Sequence, residues 1–235
     1  MPKAAISLMM LGAAFFAVPQ AAFADDSGVV YAGGGVGNGD GINGYAGGVF
    51  SLPGSRLGQG WAIRAGGSGG RYQYESGTVG TVRANYASAE LAAVYQTSGD
   101  WGWANFGAGP RITHTSLTPS DPANRMRGTR YDLALQTDGA YGQDWRLGWF
   151  GSLGVNDRTY ITQARLGKRV NAAHNTRMGI EGIVQGDRIY TQEAVGAFVT
   201  TGLGPKAEIS LSGGASFQTG RSAKPYASVG ISHVF

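Results

Sequence analysis

Apolar and polar residues alternate along most of this chain. In 129–138 the odd positions are Thr129, Tyr131, Leu133, Leu135 and Thr137, and the even ones are Arg130, Asp132, Ala134, Gln136 and Asp138. In 145–155 Trp145, Leu147, Trp149, Leu153 and Val155 oppose Arg146, Gly148, Phe150, Ser152 and Gly154. In 206–218 Ala207, Ile209, Leu211, Ala215 and Phe217 alternate with Lys206, Glu208, Ser210, Ser212, Ser216 and Gln218. A period of two belongs to extended strands, whose successive side chains point to opposite faces. Burying the polar set in a soluble core would need a partner for each group. A closed barrel avoids this by turning the apolar face to lipid and the polar face to a lumen.

The same period predicts strands near 28–36, 42–51, 61–74, 82–96, 101–115, 129–138, 145–155, 158–168, 176–185, 189–201, 206–218 and 225–235. Turn-forming sequences separate them: Asn38-Gly39-Asp40-Gly41, Pro53-Gly54-Ser55, Ser98-Gly99-Asp100, Gln185-Gly186-Asp187, Gly204-Pro205 and Thr219-Gly220-Arg221. The expected fold class is all-β: a transmembrane antiparallel β-barrel of about twelve strands, an even number as in bacterial outer membranes. No later run of about 18 apolar residues offers a membrane helix. Counting back from Phe235, His233, Ile231, Val229 and Ala227 form an outward stripe ending in an aromatic residue, as outer-membrane barrels typically do. The ring of His233 therefore reads as interfacial packing.

Composition narrows the classes. The 235 residues include 41 Gly without a G-X-Y period, so collagen is excluded, and 42% hydrophobic residues exclude a disordered chain. The absence of Cys excludes disulfides, thiolate zinc sites, iron–sulfur clusters and a Cys nucleophile. A net charge of +4 with no basic run beyond Lys168-Arg169 gives no case for nucleic acid. At the start, Lys3, the apolar stretch 4–18 and Ala22-Phe23-Ala24 read as a secretory signal peptide, so residues 1–24 are expected to be cleaved and 25–235 to form the barrel. The expected location is the bacterial outer membrane, with its lipid and lipopolysaccharide as partners.

A barrel of this size should enclose a narrow, polar, partly blocked bore. Its expected lumen-facing charges are Arg64, Arg83, Glu90, Arg111, Arg130, Asp132, Arg146, Arg165, Arg177, Glu181 and Glu193. Charges of both signs in a confined lumen pair across it, and the pattern puts Arg130 and Asp132 within reach of Arg146 or the far wall. The functional alternative is a selectivity ring or a hydrogen-bonding track for a neutral polysaccharide. With periplasmic termini, the longest polar connection, 116–128, is extracellular; its Asp121, Asn124, Arg125 and Arg127 read as a solvated loop or a recognition element. Trp101, Trp103, Trp145, Trp149, Tyr131 and Tyr190 fall near strand ends, as an interfacial girdle would.

No cofactor or metal is expected. Gly33-Gly34-Gly35-Val36-Gly37 resembles a phosphate-cradling turn but lacks a following helix. Asn38, Asp40 and Asn43 do not keep calcium-loop spacing, and His114, His174 and His233 share no ligand spacing. His114-Thr115-Ser116 suggests the His and Ser of barrel lipid hydrolases, although Leu117 stands where such enzymes carry Asn. A small nonspecific porin is a further alternative.

Arg71-Tyr72-Gln73-Tyr74, Tyr95-Gln96, Asp121-Pro122-Ala123-Asn124 with Gly128, Gly179-Ile180-Glu181-Gly182 and the strand ending at Phe198 resemble the cellulose biosynthesis protein BcsS family of proteobacteria. The resemblance runs from about Tyr45 to the C-terminus. It implies a non-enzymatic outer-membrane protein that serves cellulose production or secretion as a scaffold, docking or passage component. Cellulose or its secretion machinery is then a partner, and the resemblance supplies no catalytic residue.

Overall fold

The computed structural model describes residues 26–37, 41–188, 191–218 and 222–235. The expected leader, 1–24, and the turns at 38–40 and 219–221 lie outside these residues, as does Tyr190. Twelve antiparallel strands form one closed barrel: β1 (Gly28–Gly37), β2 (Gly41–Ser51), β3 (Gly60–Ser76), β4 (Gly80–Gly99), β5 (Gly102–Thr118), β6 (Gly128–Tyr141), β7 (Trp145–Gly154), β8 (Tyr160–Asn171), β9 (Thr176–Gly186), β10 (Thr191–Gly202), β11 (Ala207–Gln218) and β12 (Lys224–Val234). Each strand pairs with its sequence neighbours, and β1 closes on β12 from Val29↔Val234 to Gly37↔Tyr226. Closure pairs every strand on both sides, as a span through lipid requires, and only the stretches that outreach a shorter neighbour, such as 72–76 of β3, lack a partner on one side. The amide of Ser27 donates to the carbonyl of Phe235 at 2.8 Å, tying the start of the first strand to the last residue.

Glycine in β1 and β2 serves the interior. Gly33 pairs with Tyr45 and Tyr31 with Gly47, so each inward tyrosine ring lies across the opposite glycine. A Cβ at Gly33 would collide with the Tyr45 hydroxyl, and one at Gly47 would come 2.8 Å from that of Tyr31. The glycine run that resembles a phosphate turn is thus strand, kept bare so that two aromatic rings fit inside.

The wall is uneven in height. β3, β4 and β5 have 17, 20 and 17 residues, whereas β2 has 11 and β7 has 10. Six extra residues in β3 relative to β2 add about 20 Å along the strand. The outward face changes character where the tall wall rises above the short one. Up to the rim of the short wall it exposes Trp61, Leu91, Tyr95, Phe106, Leu133 and Leu135, and further up it carries Arg71, Gln73, Glu75, Arg83, Asn85, His114 and Ser116. The lower part matches a lipid-facing band and the upper part a water-facing one.

Around the termini, exposed Phe50, Trp61, Tyr95, Trp101, Tyr141, Trp145 and Phe235 form an aromatic rim. Trp61 meets Tyr95 edge-on at 5.4 Å, and Phe50 lies 6.1 Å from Phe235. One expected girdle residue is placed differently. Trp103 points inward and is buried with Val29, Val49, Leu57 and Val94, because inward positions in β5 are odd. Trp149 lies on the outer face of β7 opposite Gly139, and its indole N–H donates to Thr137 Oγ1.

Candidate functional site

Inward positions from all twelve strands meet in the lumen, and the largest group of polar contacts there crosses five strands. Arg64 on β3 pairs with Asp138 on β6 and donates to Gln136 Oε1 at 3.0 Å. Gln136 donates to Glu90 on β4 at 2.7 Å. Arg111 on β5 donates twice to Glu90, at 2.9 and 2.7 Å, and once to Ser152 on β7 at 2.8 Å. Asn105 continues from Asp138 to Gln96. The two arginines and two carboxylates balance in charge, and each carboxylate has more than one donor, which is what buried ions require.

A second brace centres on Glu181 of β9, whose side chain is 0% exposed. It accepts from Arg165 at 2.7 Å, Gln163 at 2.9 Å and the Tyr226 hydroxyl at 2.6 Å. Arg165 also donates to Ser210 at 3.0 Å and stands 5.0 Å over the Phe198 ring. Glu181 and Phe198 both lie in segments that carry the family resemblance, and here they converge on one arginine.

The far end of the lumen, away from the termini, is filled by Tyr72, Tyr74, Val82, Ala84, Tyr86 and Met126. Met126 comes from the connection 119–127, which turns into the barrel mouth. The Tyr74 hydroxyl donates to Asp121 Oδ2 at 3.0 Å and accepts from Asn124 Nδ2 at 2.7 Å. The Ala123 amide caps the other Asp121 oxygen at 3.1 Å. Burial by itself raises the Asp121 pKa, but hydrogen bonds from Ser76, Tyr74, the Ala123 amide and Thr78 outweigh it and hold the carboxyl below its ordinary 3.8.

Several expected site residues are therefore placed otherwise. Asp121 and Asn124 are 2% and 1% exposed, so they pin the loop and do not face solvent; Arg125 and Arg127 do. Arg130 points inward and pairs with Asp157 in the turn after β7, while Asp132 accepts from the Asn156 amide at 2.7 Å. Neither approaches Arg146, which lies at the opposite end of β7, because β6 and β7 pair only from Ala134↔Gly154 to Tyr141↔Leu147. Glu193 is exposed on the outer face, since inward positions in β10 are even: Gln192, Ala194 and Phe198 are buried. Arg83 is likewise outward, because Val82, Ala84 and Tyr86 occupy the inner face of β4. Asp138, Gln136, Gln96 and Asn105 are not among the lumenal residues expected from the sequence. Asp138 and Gln136 nevertheless share the even face of 129–138 with Arg130, which is the cue that could have found them.

His114 and Ser116 share the outer face of β5 above the apolar band. The His114 Nδ1 lies 2.9 Å from Thr129 Oγ1, so a hydroxyl, not a carboxylate, meets the ring. Among the described residues no cluster of three or more His, Cys, Asp or Glu could hold a metal. Among the described residues, cavities open within the interior. One of about 170 Å³ lies beside the first brace among Tyr31, Tyr45, Tyr86, Glu90, Arg111 and Asp138. A smaller one of about 30 Å³ lies near the termini, and Trp103 lines both.

Among solved structures, the chain resembles the TodX deltaS2S3 mutant monoaromatic hydrocarbon channel, with TM-score 0.53 and 8% identity over 90% of this chain and 91% of that one. It also resembles the transport unit of the autotransporter AIDA-I from Escherichia coli, with TM-score 0.53 and 11% identity over 90% and 91%. At such identities the likeness concerns the fold alone, that of an outer-membrane-type barrel. No curated protein matches the sequence. The family described as Cellulose biosynthesis protein BcsS matches residues 29–235, from the first barrel strand to the last residue, and the chain belongs to that family.

Proposed function

We propose that this barrel serves cellulose biosynthesis or secretion at the outer membrane as a non-enzymatic scaffold and docking component, with its termini on the periplasmic side. The observation that carries this reading is the filled lumen. Leu57 and Trp103 pack into it from the near end, and Met126 and the loop 119–127 from the far end, and between them lies a cavity of about 170 Å³. A space of this size suits one ring-sized molecule, since an engineered cavity of about 150 Å³ accommodates benzene. A polymer in transit needs a continuous bore. The tall wall formed by β3, β4 and β5 projects beyond the apolar band and offers the docking surface. The hydroxyl partner of His114 supports a non-enzymatic role, because in a Ser–His pair of this kind a carboxylate both orients the imidazole and stabilises the imidazolium that forms, and the neutral Thr129 hydroxyl supplies no such charge.

Deleting the gene and measuring extracellular cellulose tests the reading, together with single-channel recording of the purified protein. The expected result is reduced or mislocalised cellulose and no steady conductance in planar bilayers. Normal cellulose would remove the role in this process, and a stable open channel would replace docking with passage.

A further inference from the structure

The smaller cavity is surrounded by hydrogen-bond donors that have nothing to donate to. Arg146, 6% exposed, presents Nε and Nη1 without an acceptor. Arg177, 2% exposed, uses its two Nη groups on the Asp144 carbonyl and Asn175 Oδ1 but leaves Nε unpaired. The Thr200 hydroxyl and the Trp103 indole N–H are also buried without partners, and all four residues line the cavity. Gly167, directly across from Arg146 on β8, and Gly148 line it as well and add no side chain of their own. Unsatisfied buried donors are uncommon, and two buried guanidiniums without full pairing are costly unless something completes them.

Charge points the same way. Arg169 stands directly across from Arg177 on β8, 3.8 Å from the Asp144 carboxylate, and Glu208 lies within electrostatic reach of both Arg146 and Arg177. Arg165, which also lines the cavity, is neutralised by Glu181. Three arginines against Asp144 and Glu208 leave one positive charge in excess. We infer that this cavity is a binding site for a small oxyanion, a phosphoryl or carboxylate group held between Arg146 and Arg177 at the end of the lumen nearest the termini. A volume of about 30 Å³ limits the occupant to a group of a few heavy atoms, since one water needs about 10–15 Å³ of such space. The site does not depend on a role in cellulose production.

The test is a titration of the folded protein in detergent micelles with inorganic phosphate, and separately with acetate, at constant ionic strength maintained with chloride. Tryptophan fluorescence is the readout, because Trp103 borders the site, and Trp103→Phe should remove the response. Saturable binding of phosphate or of acetate is expected, and which is tighter tells a phosphoryl from a carboxylate occupant. Arg146→Met should weaken it about tenfold or more, as loss of a charge-assisted contact does. Arg56→Met, on an exposed turn, should leave it unchanged. Heat-modifiable gel migration verifies folding, and Thr200→Val supplies an uncharged second variant that should also weaken binding. An absence of saturable binding by either anion would overturn the proposal, and so would equal affinity in wild type, Arg146→Met and Thr200→Val.

Discussion

Glu181 and the pair Arg146 and Arg177 are charges buried to a similar degree in the same barrel, and their surroundings differ. Glu181 receives three hydrogen bonds from β8 and β12, and its arginine is in turn held by Ser210 and Phe198. The two arginines near the termini have only turn carbonyl and amide acceptors for one of them and none for Nε and Nη1 of the other. A rigid closed wall holds both arrangements in place. In the first a carboxylate bonded directly to its arginine supplies the counter-ion, and in the second Nε and Nη1 of Arg146 and Nε of Arg177 are left without an acceptor. Buried charge in this lumen therefore has two roles, bracing and reception, and the count of internal partners separates them.

The largest effect should come from breaking the brace. Glu181→Leu strands Arg165 without its carboxylate and should cost about 3–5 kcal/mol in urea unfolding from lipid vesicles, as removal of one partner of a buried pair does. A loss below that of a surface change would mean that Glu181 is no brace. Moving a guanidinium to the other face of the wall comes next. Leu135→Arg, on the outward apolar stripe of β6, should cost roughly 2–4 kcal/mol near the bilayer midplane. A harmless result would show the lipid band to lie elsewhere.

Tyr74→Phe removes the hydroxyl that joins Asp121 to Asn124 and should cost about 1–3 kcal/mol of loop stability, seen as faster amide exchange across 120–127 with the barrel strands unaffected. The same loop carries a pH dependence. The Asp121 carboxyl has a lower pKa when folded, so its contribution is complete above 3.8 and is lost as pH falls through the folded value. Exchange in 120–127 should rise on acidification below 3.8, and Asp121→Asn should abolish that rise. The smallest effect belongs to Arg146→Met in anion-free buffer. Removing an incompletely paired buried charge should leave stability unchanged or raise it. A loss comparable to that of Glu181→Leu would assign Arg146 to bracing and erase the contrast.

The sequence by itself determined the twelve strands, because a period of two is a local property that each segment carries whole. It also determined the inward phase of β6, β7 and β11, where one parity is apolar and the other polar. In β10 both parities hold apolar residues, Ala194 and Phe198 against Val195 and Val199, so the phase that turns Glu193 outward was decided only by packing, with Phe198 seated under Arg165. Arg83 and Glu90 differ in parity within one strand and so could not both be lumenal; the height of β4 above the lipid band lets Arg83 face water. Asp121 and Asn124 read as loop polars, and the turn of 119–127 into the mouth toward Tyr74, 47 residues away, buried them. Which inward charges meet was likewise left to closure. Arg64 finds Asp138 across 74 residues because the circle of strands brings β3 and β6 onto one interior, and no periodicity along the chain encodes a distance across a barrel.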